Sequence, residues 1–187
     1  MRQDILKEVK SFAAQAHGDQ RRKYTPDPYI VHPIRVMETC HRFTEDTGIL
    51  SAALLHDVLE DTPVEADEML QFLSSYMPSS LAQHTLRLVV DLTDVFTKAA
   101  YPSLNRRARK LKELERLKKA HPDAHTIKYA DILDNAREIV PHDPDFSRVF
   151  LHECKATLKV MDKGHPQLYR EAITLVSEQL QFKTGNV

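Results

Sequence analysis

The chain has 187 residues, enough for one domain that buries about two-thirds of its unfolded surface without staples. Hydrophobic residues make up 42% and charged residues 28%, a globular balance that excludes long disorder. A formal net charge of −1 gives no global field for nucleic acid or a membrane surface. Only 4 glycines occur, while Leu, Ala, Glu and Lys abound, which favours helices over strands. Cys40 and Cys154 cannot build a disulfide framework and read as reduced, packed thiols. Met1 to Lys10 has neither signal nor transit character, and no apolar run reaches membrane-spanning length. The expected location is the cytoplasm.

Ile5, Val9, Phe12, Ala13 and Ala16 recur at helical spacing, with Gly18 as a stop. Residues 19–28 are polar, basic and proline-bearing, and should form a loop. A second helix starts near His32-Pro33, where proline is tolerated in a first turn, and runs to about Phe43. Residues 49–59 are apolar apart from His56 and Asp57, and predict one buried central helix ended by Thr62-Pro63. Two amphipathic helices follow over 64–76 and 79–92, then a loop over 93–103.

Residues 105–120 place Ala108, Leu111, Leu114 and Leu117 on one stripe with Lys and Arg opposite. That charge reads as a solvated face. His121-Pro122 breaks this helix, and Asp123 can cap the next, which reaches about Val140. Pro141 and Pro144 bracket a short loop, and helices over 145–161 and 166–182 complete the chain. The expectation is an all-α, single-domain helical bundle.

The most informative segment runs from Ala52 to Thr62. A histidine and an aspartate inside an apolar helix are expensive unless something compensates them. A bound divalent cation does so, because imidazole and carboxylate are both ligands. Asp57, Glu60 and Asp61 stand at i, i+3 and i+4, on one helical face. Glu60 and Asp61 also oppose the helix dipole near a C-terminal end, a local conflict that favours a functional role. Further ligands could come from His32, at a loop-to-helix junction, or from Asp131, on a mostly apolar helix with Asn135 one turn on. Spacing alone leaves their convergence open.

His32, the His56-Asp57 pair and Asp131 match the H…HD…D order of the HD-domain phosphohydrolases. The segments Gln20-Arg21-Arg22-Lys23, Pro28 to Pro33, Ala52 to Thr62 and Lys128 to Asn135 resemble the hydrolase domains of the RelA/SpoT group, especially the Mesh1-like small alarmone hydrolases. The resemblance implies one HD domain over residues 1–187, with its motifs within 17–140. It implies one divalent ion, commonly Mn²⁺, held by His32, His56, Asp57 and Asp131. Such an ion lowers the pKa of a bound water and polarises a phosphoryl oxygen. Glu60 and Asp61 would orient and deprotonate that water.

The implied reaction is (p)ppGpp 3′-pyrophosphohydrolysis, releasing pyrophosphate. Arg22 and Lys23 match the family's basic pair before the PYI motif, and Asn135 its nucleotide-contacting asparagine. Asn105 and Arg106 open a helix suited to a phosphate. The implied partner is a small nucleotide, with neither nucleic acid nor membrane. Asp134 and Glu138 depart from the family pattern, and no glycine stands between Lys23 and Pro28. Two alternatives stay open: an HD phosphohydrolase for another nucleotide or nucleotide cofactor, and a non-catalytic nucleotide-binding module. His17, His41, His84, His121, His125, His142, His152 and His165 read as surface or capping histidines.

Overall fold

A computed structural model describes residues 2–184, with side chains described to residue 181. The described residues are all-α, and their one β-type pairing is an isolated bridge between Arg21 and Pro28. The chain divides into two compact units, Met1–Thr93 and Asp94–Val187.

The first unit is organised around α3, Thr47–Leu55. Asp46 caps it, its Oδ1 accepting from the backbone N–H of Gly48 at 2.8 Å and of Ile49 at 3.0 Å. Every residue from Gly48 to Leu55 is buried, as expected for a helix that is apolar all round. Helices α1 (Arg2–His17), α2 (Val31–His41) and α6 (Ser79–Leu92) pack on it, and α5 (Ala66–Tyr76) packs on α6. Leu50, Leu54 and Leu55 are fully buried, each stabilising the unit by about 2 kcal/mol. Gly48 admits α6: a Cβ there would stand 3.0 Å from Leu81 Cδ1 and 3.3 Å from His84 Cδ2.

The central helix is shorter than the sequence predicts. It stops at Leu55, and a separate turn of helix, α4 (Val58–Asp61), follows. His56 and Asp57 occupy the break, with Asp57 at φ −98°, ψ −7°. Apolar residues flank the His56-Asp57 pair on both sides, so periodicity could not reveal the break. Glu60 and Asp61 still donate their backbone N–H groups to Asp57 C=O, at 3.2 and 2.9 Å, which keeps all three carboxylates on one turn.

In the second unit, α8 (Pro122–His142) carries most of the buried residues and contacts α9 (Pro144–Val160) and α10 (Pro166–Thr184); α7 (Arg106–Leu117) packs on α9. His121, not Asp123, caps α8, its Nδ1 accepting from Asp123 N–H at 3.2 Å. Pro141 lies inside α8, and Asp143 alone separates it from α9, because a proline near a helix end lets the last turn close through other residues.

Helix α8 also pins the turn that leads into α10. Tyr129 donates its hydroxyl to Met161 C=O and accepts from Gly164 N–H at 3.1 Å; Thr126 Oγ1 accepts from His165 N–H at 2.9 Å. His125, read as a surface or capping histidine, is instead fully buried and accepts from Lys163 N–H at 3.1 Å. Cys40 and Cys154 are buried free thiols, both pushed up to about 12 by burial. No helix among the described residues is long and apolar enough to cross a membrane.

Gly164 is where this turn has no spare room. A Cβ there would lie 2.6 Å from Tyr129 Cε2 and 2.7 Å from Thr126 N. Gly164→Ala is expected to lower urea stability by about 2 kcal/mol; an unchanged urea midpoint would show that the turn yields freely.

Candidate metal centre and nucleotide site

The break after α3 places three donors together. His32, His56 and Asp57 each offer a ligand atom, all within 4.8 Å of one another. His32 is 1% exposed and His56 3%. The imidazoles meet edge to face with ring centres 5.1 Å apart, and their Nε2 atoms lie 3.5 and 3.2 Å from the same oxygen, Asp57 Oδ2. His56 Nδ1 stands 2.8 Å from Ala53 C=O. A carbonyl only accepts, so Nδ1 carries the proton and Nε2 presents its lone pair to the cluster. This outer hydrogen bond is typical of metal-ligating histidines.

Tyr29 closes the other side. Its hydroxyl donates to Asp57 Oδ2 at 2.7 Å and also bonds Asp61. Burial, then the charges of Asp57 and Asp61, push the phenol well above its usual range, so it stays a donor. Partial burial and the like charge of Asp57 raise Asp61 above the usual carboxylate range, against the Tyr29 bond and His17, which pull it down. Asp61 nonetheless opens to solvent at the edge of the cluster, beside exposed Glu60.

The loop before Tyr29 is a closed hairpin. Arg22 N–H donates to Asp27 C=O at 3.0 Å and Tyr29 N–H to Gln20 C=O at 2.9 Å. The Thr25-Pro26-Asp27 turn does the work expected of a glycine, Thr25 Oγ1 donating to Asp27 Oδ2 at 3.0 Å. Arg22 stands with its guanidinium 5.5 Å from the Tyr29 ring centre. Lys23 bonds the Tyr24 hydroxyl at 2.8 Å.

In the second unit, Asp131 is 6% exposed on α8. Lys128 Nζ lies 2.8 Å from its Oδ2, and Asn135 Nδ2 donates to its Oδ1. Asn105 caps α7, accepting from Ala108 N–H at 2.9 Å, and Arg106 forms a two-pronged ion pair with Glu153 at 2.7 and 2.8 Å. Both are therefore engaged within their own unit. Asp134 and Glu138 are each 8% exposed on α8. Sequence reasoning gave no role to Tyr29, His17 or Lys128. Tyr29 lay inside a quoted motif, but the hydroxyl's partner is 28 residues away and carried no local signal.

A family model described as HD domain matches residues 10–157, so it spans both units. The chain belongs to the HD-domain family. The curated guanosine-3′,5′-bis(diphosphate) 3′-pyrophosphohydrolases MESH1 of Mus musculus and Homo sapiens are each 38% identical over 139 residues, covering 72% of this chain and 69% of theirs. Among solved structures, one described as a metazoan ortholog of SpoT that hydrolyzes ppGpp matches with a TM-score of 0.76 at 26% identity, covering 96% of this chain and 95% of that one. The expected RelA/SpoT and Mesh1-like resemblance and the all-α class are thereby borne out. Family membership implies dependence on a divalent metal, and the donor set fits one: two neutral imidazoles and a carboxylate share a centre that is otherwise costly to bury.

The raised Asp61 has a stability consequence. Its charged form is disfavoured in the folded chain, so the penalty is full above the folded pKa and vanishes as pH falls through the unfolded one. In chelator, Asp61→Asn should raise the urea midpoint at neutral pH, with the gain disappearing by pH 3. An Asn variant less stable at pH 7 than at pH 3, each relative to wild type, would reverse the sign.

Proposed function

We propose that the chain is a Mn²⁺-dependent (p)ppGpp 3′-pyrophosphohydrolase formed by one HD domain over residues 1–187. The observation that carries this is the His32–His56–Asp57 cluster sharing one carboxylate oxygen in a chain with pyrophosphohydrolase relatives. His32, His56 and Asp57 hold the ion, and Asp131 is assigned as the fourth ligand from the order of the motifs. When bound, the ion polarises a phosphoryl oxygen and makes a water acidic. The carboxylates of Glu60 and Asp61 orient a water and accept its proton. The water oxygen forms a bond to the phosphorus attached to the ribose 3′ oxygen, and the P–O3′ bond breaks. Pyrophosphate leaves, the 3′ oxygen takes up a proton, and GDP or GTP remains.

Arg22 and Lys23 are assigned to the base and phosphates, and Asn135 to the ribose. Asn105 and Arg106 are assigned to a phosphate; Arg106 must exchange Glu153 for it. The cytoplasm is the proposed location. A second reading, an HD phosphohydrolase for a different nucleotide, is favoured by one observation: the acidic Asp134 and Glu138 on α8 where the family pattern differs.

Chelator-stripped protein should lose ppGpp hydrolysis, and Mn²⁺ should restore it. Glu60→Gln is expected to keep Mn²⁺ and lose at least about a hundredfold in kcat, whereas Asp57→Ala and Asp131→Ala should lose metal and activity together. Measured by metal analysis and pyrophosphate release, full activity of Glu60→Gln would remove the water-activating assignment. Hydrolysis of another nucleotide with ppGpp untouched would select the second reading.

A further inference from the structure

His17 is a buried histidine that the reaction does not use. It is 5% exposed and closes α1, after which Gly18 turns the chain at φ +51°. That turn brings Gln20 back: its N–H donates to His17 C=O at 3.0 Å, and its C=O accepts from Tyr29 N–H at 2.9 Å. The side chains repeat the connection. His17 Nδ1 lies 2.8 Å from Gln20 Oε1, and the imidazole tilts over the Tyr29 ring at 4.5 Å between centres and 33° between planes.

Tyr29 has few degrees of freedom left. Its backbone N–H is held by Gln20, its ring is covered by His17, and the Arg22 guanidinium stands 5.5 Å from the ring centre. What remains is the ring's tilt, and the tilt sets where the hydroxyl points. That hydroxyl lies 2.7 Å from Asp57 Oδ2, the oxygen both histidines face. We infer that His17 and Gln20 are positioning residues that fix the tilt of Tyr29, so that its hydroxyl holds Asp57 and Asp61 in register for metal binding and turnover. The inference rests on the metal-site reading of His32, His56 and Asp57.

A purely packing role for His17 would lower stability and leave the metal site alone, so Mn²⁺ affinity separates the two. It is measured by calorimetry on the folded, chelator-stripped full chain. Tyr29→Phe should weaken Mn²⁺ on the order of tenfold, the usual cost of losing an outer-shell partner. His17→Ala and the milder Gln20→Ala should weaken it by smaller factors, and His17→Phe, which keeps a ring over Tyr29, should recover most of the loss. Because His17 acts through the Tyr29 hydroxyl, the double variant Tyr29→Phe/His17→Ala should bind Mn²⁺ no worse than Tyr29→Phe. At saturating Mn²⁺, Gln20→Ala should lower kcat with KM unchanged. Wild-type Mn²⁺ affinity in both Tyr29→Phe and Gln20→Ala, or fully additive losses in the double variant, overturns the inference. A wild-type chain that binds no Mn²⁺ instead overturns the metal-site reading beneath it.

Discussion

Asp57 Oδ2 is the atom on which the site depends. Two buried imidazole nitrogens and one phenol converge on it, at 3.5, 3.2 and 2.7 Å. Convergence of this kind is costly in a protein interior, where each polar group gives up water. The chain meets that cost by interrupting its most apolar helix. Leu55 ends α3, His56 and Asp57 turn, and α4 resumes at Val58. His56 and Asp57 stand at this break with their side chains in the cluster, while α3 stays fully buried on its neighbours.

The supporting residues follow from that choice. Ala53 C=O fixes which His56 nitrogen bears the proton. α2 begins immediately before His32, so its first turn carries the histidine while Pro33 occupies a position that needs no N–H partner. Tyr29 enters from a hairpin closed by main-chain bonds, and the same ring touches Arg22. The loop assigned to the nucleotide is thus mechanically joined to the carboxylate assigned to the metal. Asp61, raised by burial and by Asp57, stands beside this point as a carboxylate that is easily protonated. That suits a proton acceptor and costs stability, as is common where catalysis and folding compete.

Much of this was legible in the sequence. The alternation of apolar stripes with Gly18, Pro63, Pro78 and Pro122 gave most helices to within a few residues, because amphipathic period and breakers act locally. His56 and Asp57 stood out as ionisable residues in an apolar run. The break at these two residues did not, since apolar residues flank the pair on both sides. The burial of His17 and His125 was also hidden, because it is set by residues outside their own helices, such as Lys163 for His125 and Tyr29 for His17. Tyr29 is the clearest case: its neighbours in sequence announce a motif, but its bond to Asp57 is one that only folding creates.

The most direct test of the account is anomalous diffraction at the manganese edge from crystals soaked in Mn²⁺. One strong peak is expected within bonding distance of His32 Nε2, His56 Nε2 and Asp57 Oδ2. A peak at another set of residues, or a fully ordered His32–His56–Asp57 cluster with no metal at saturating Mn²⁺, would contradict it.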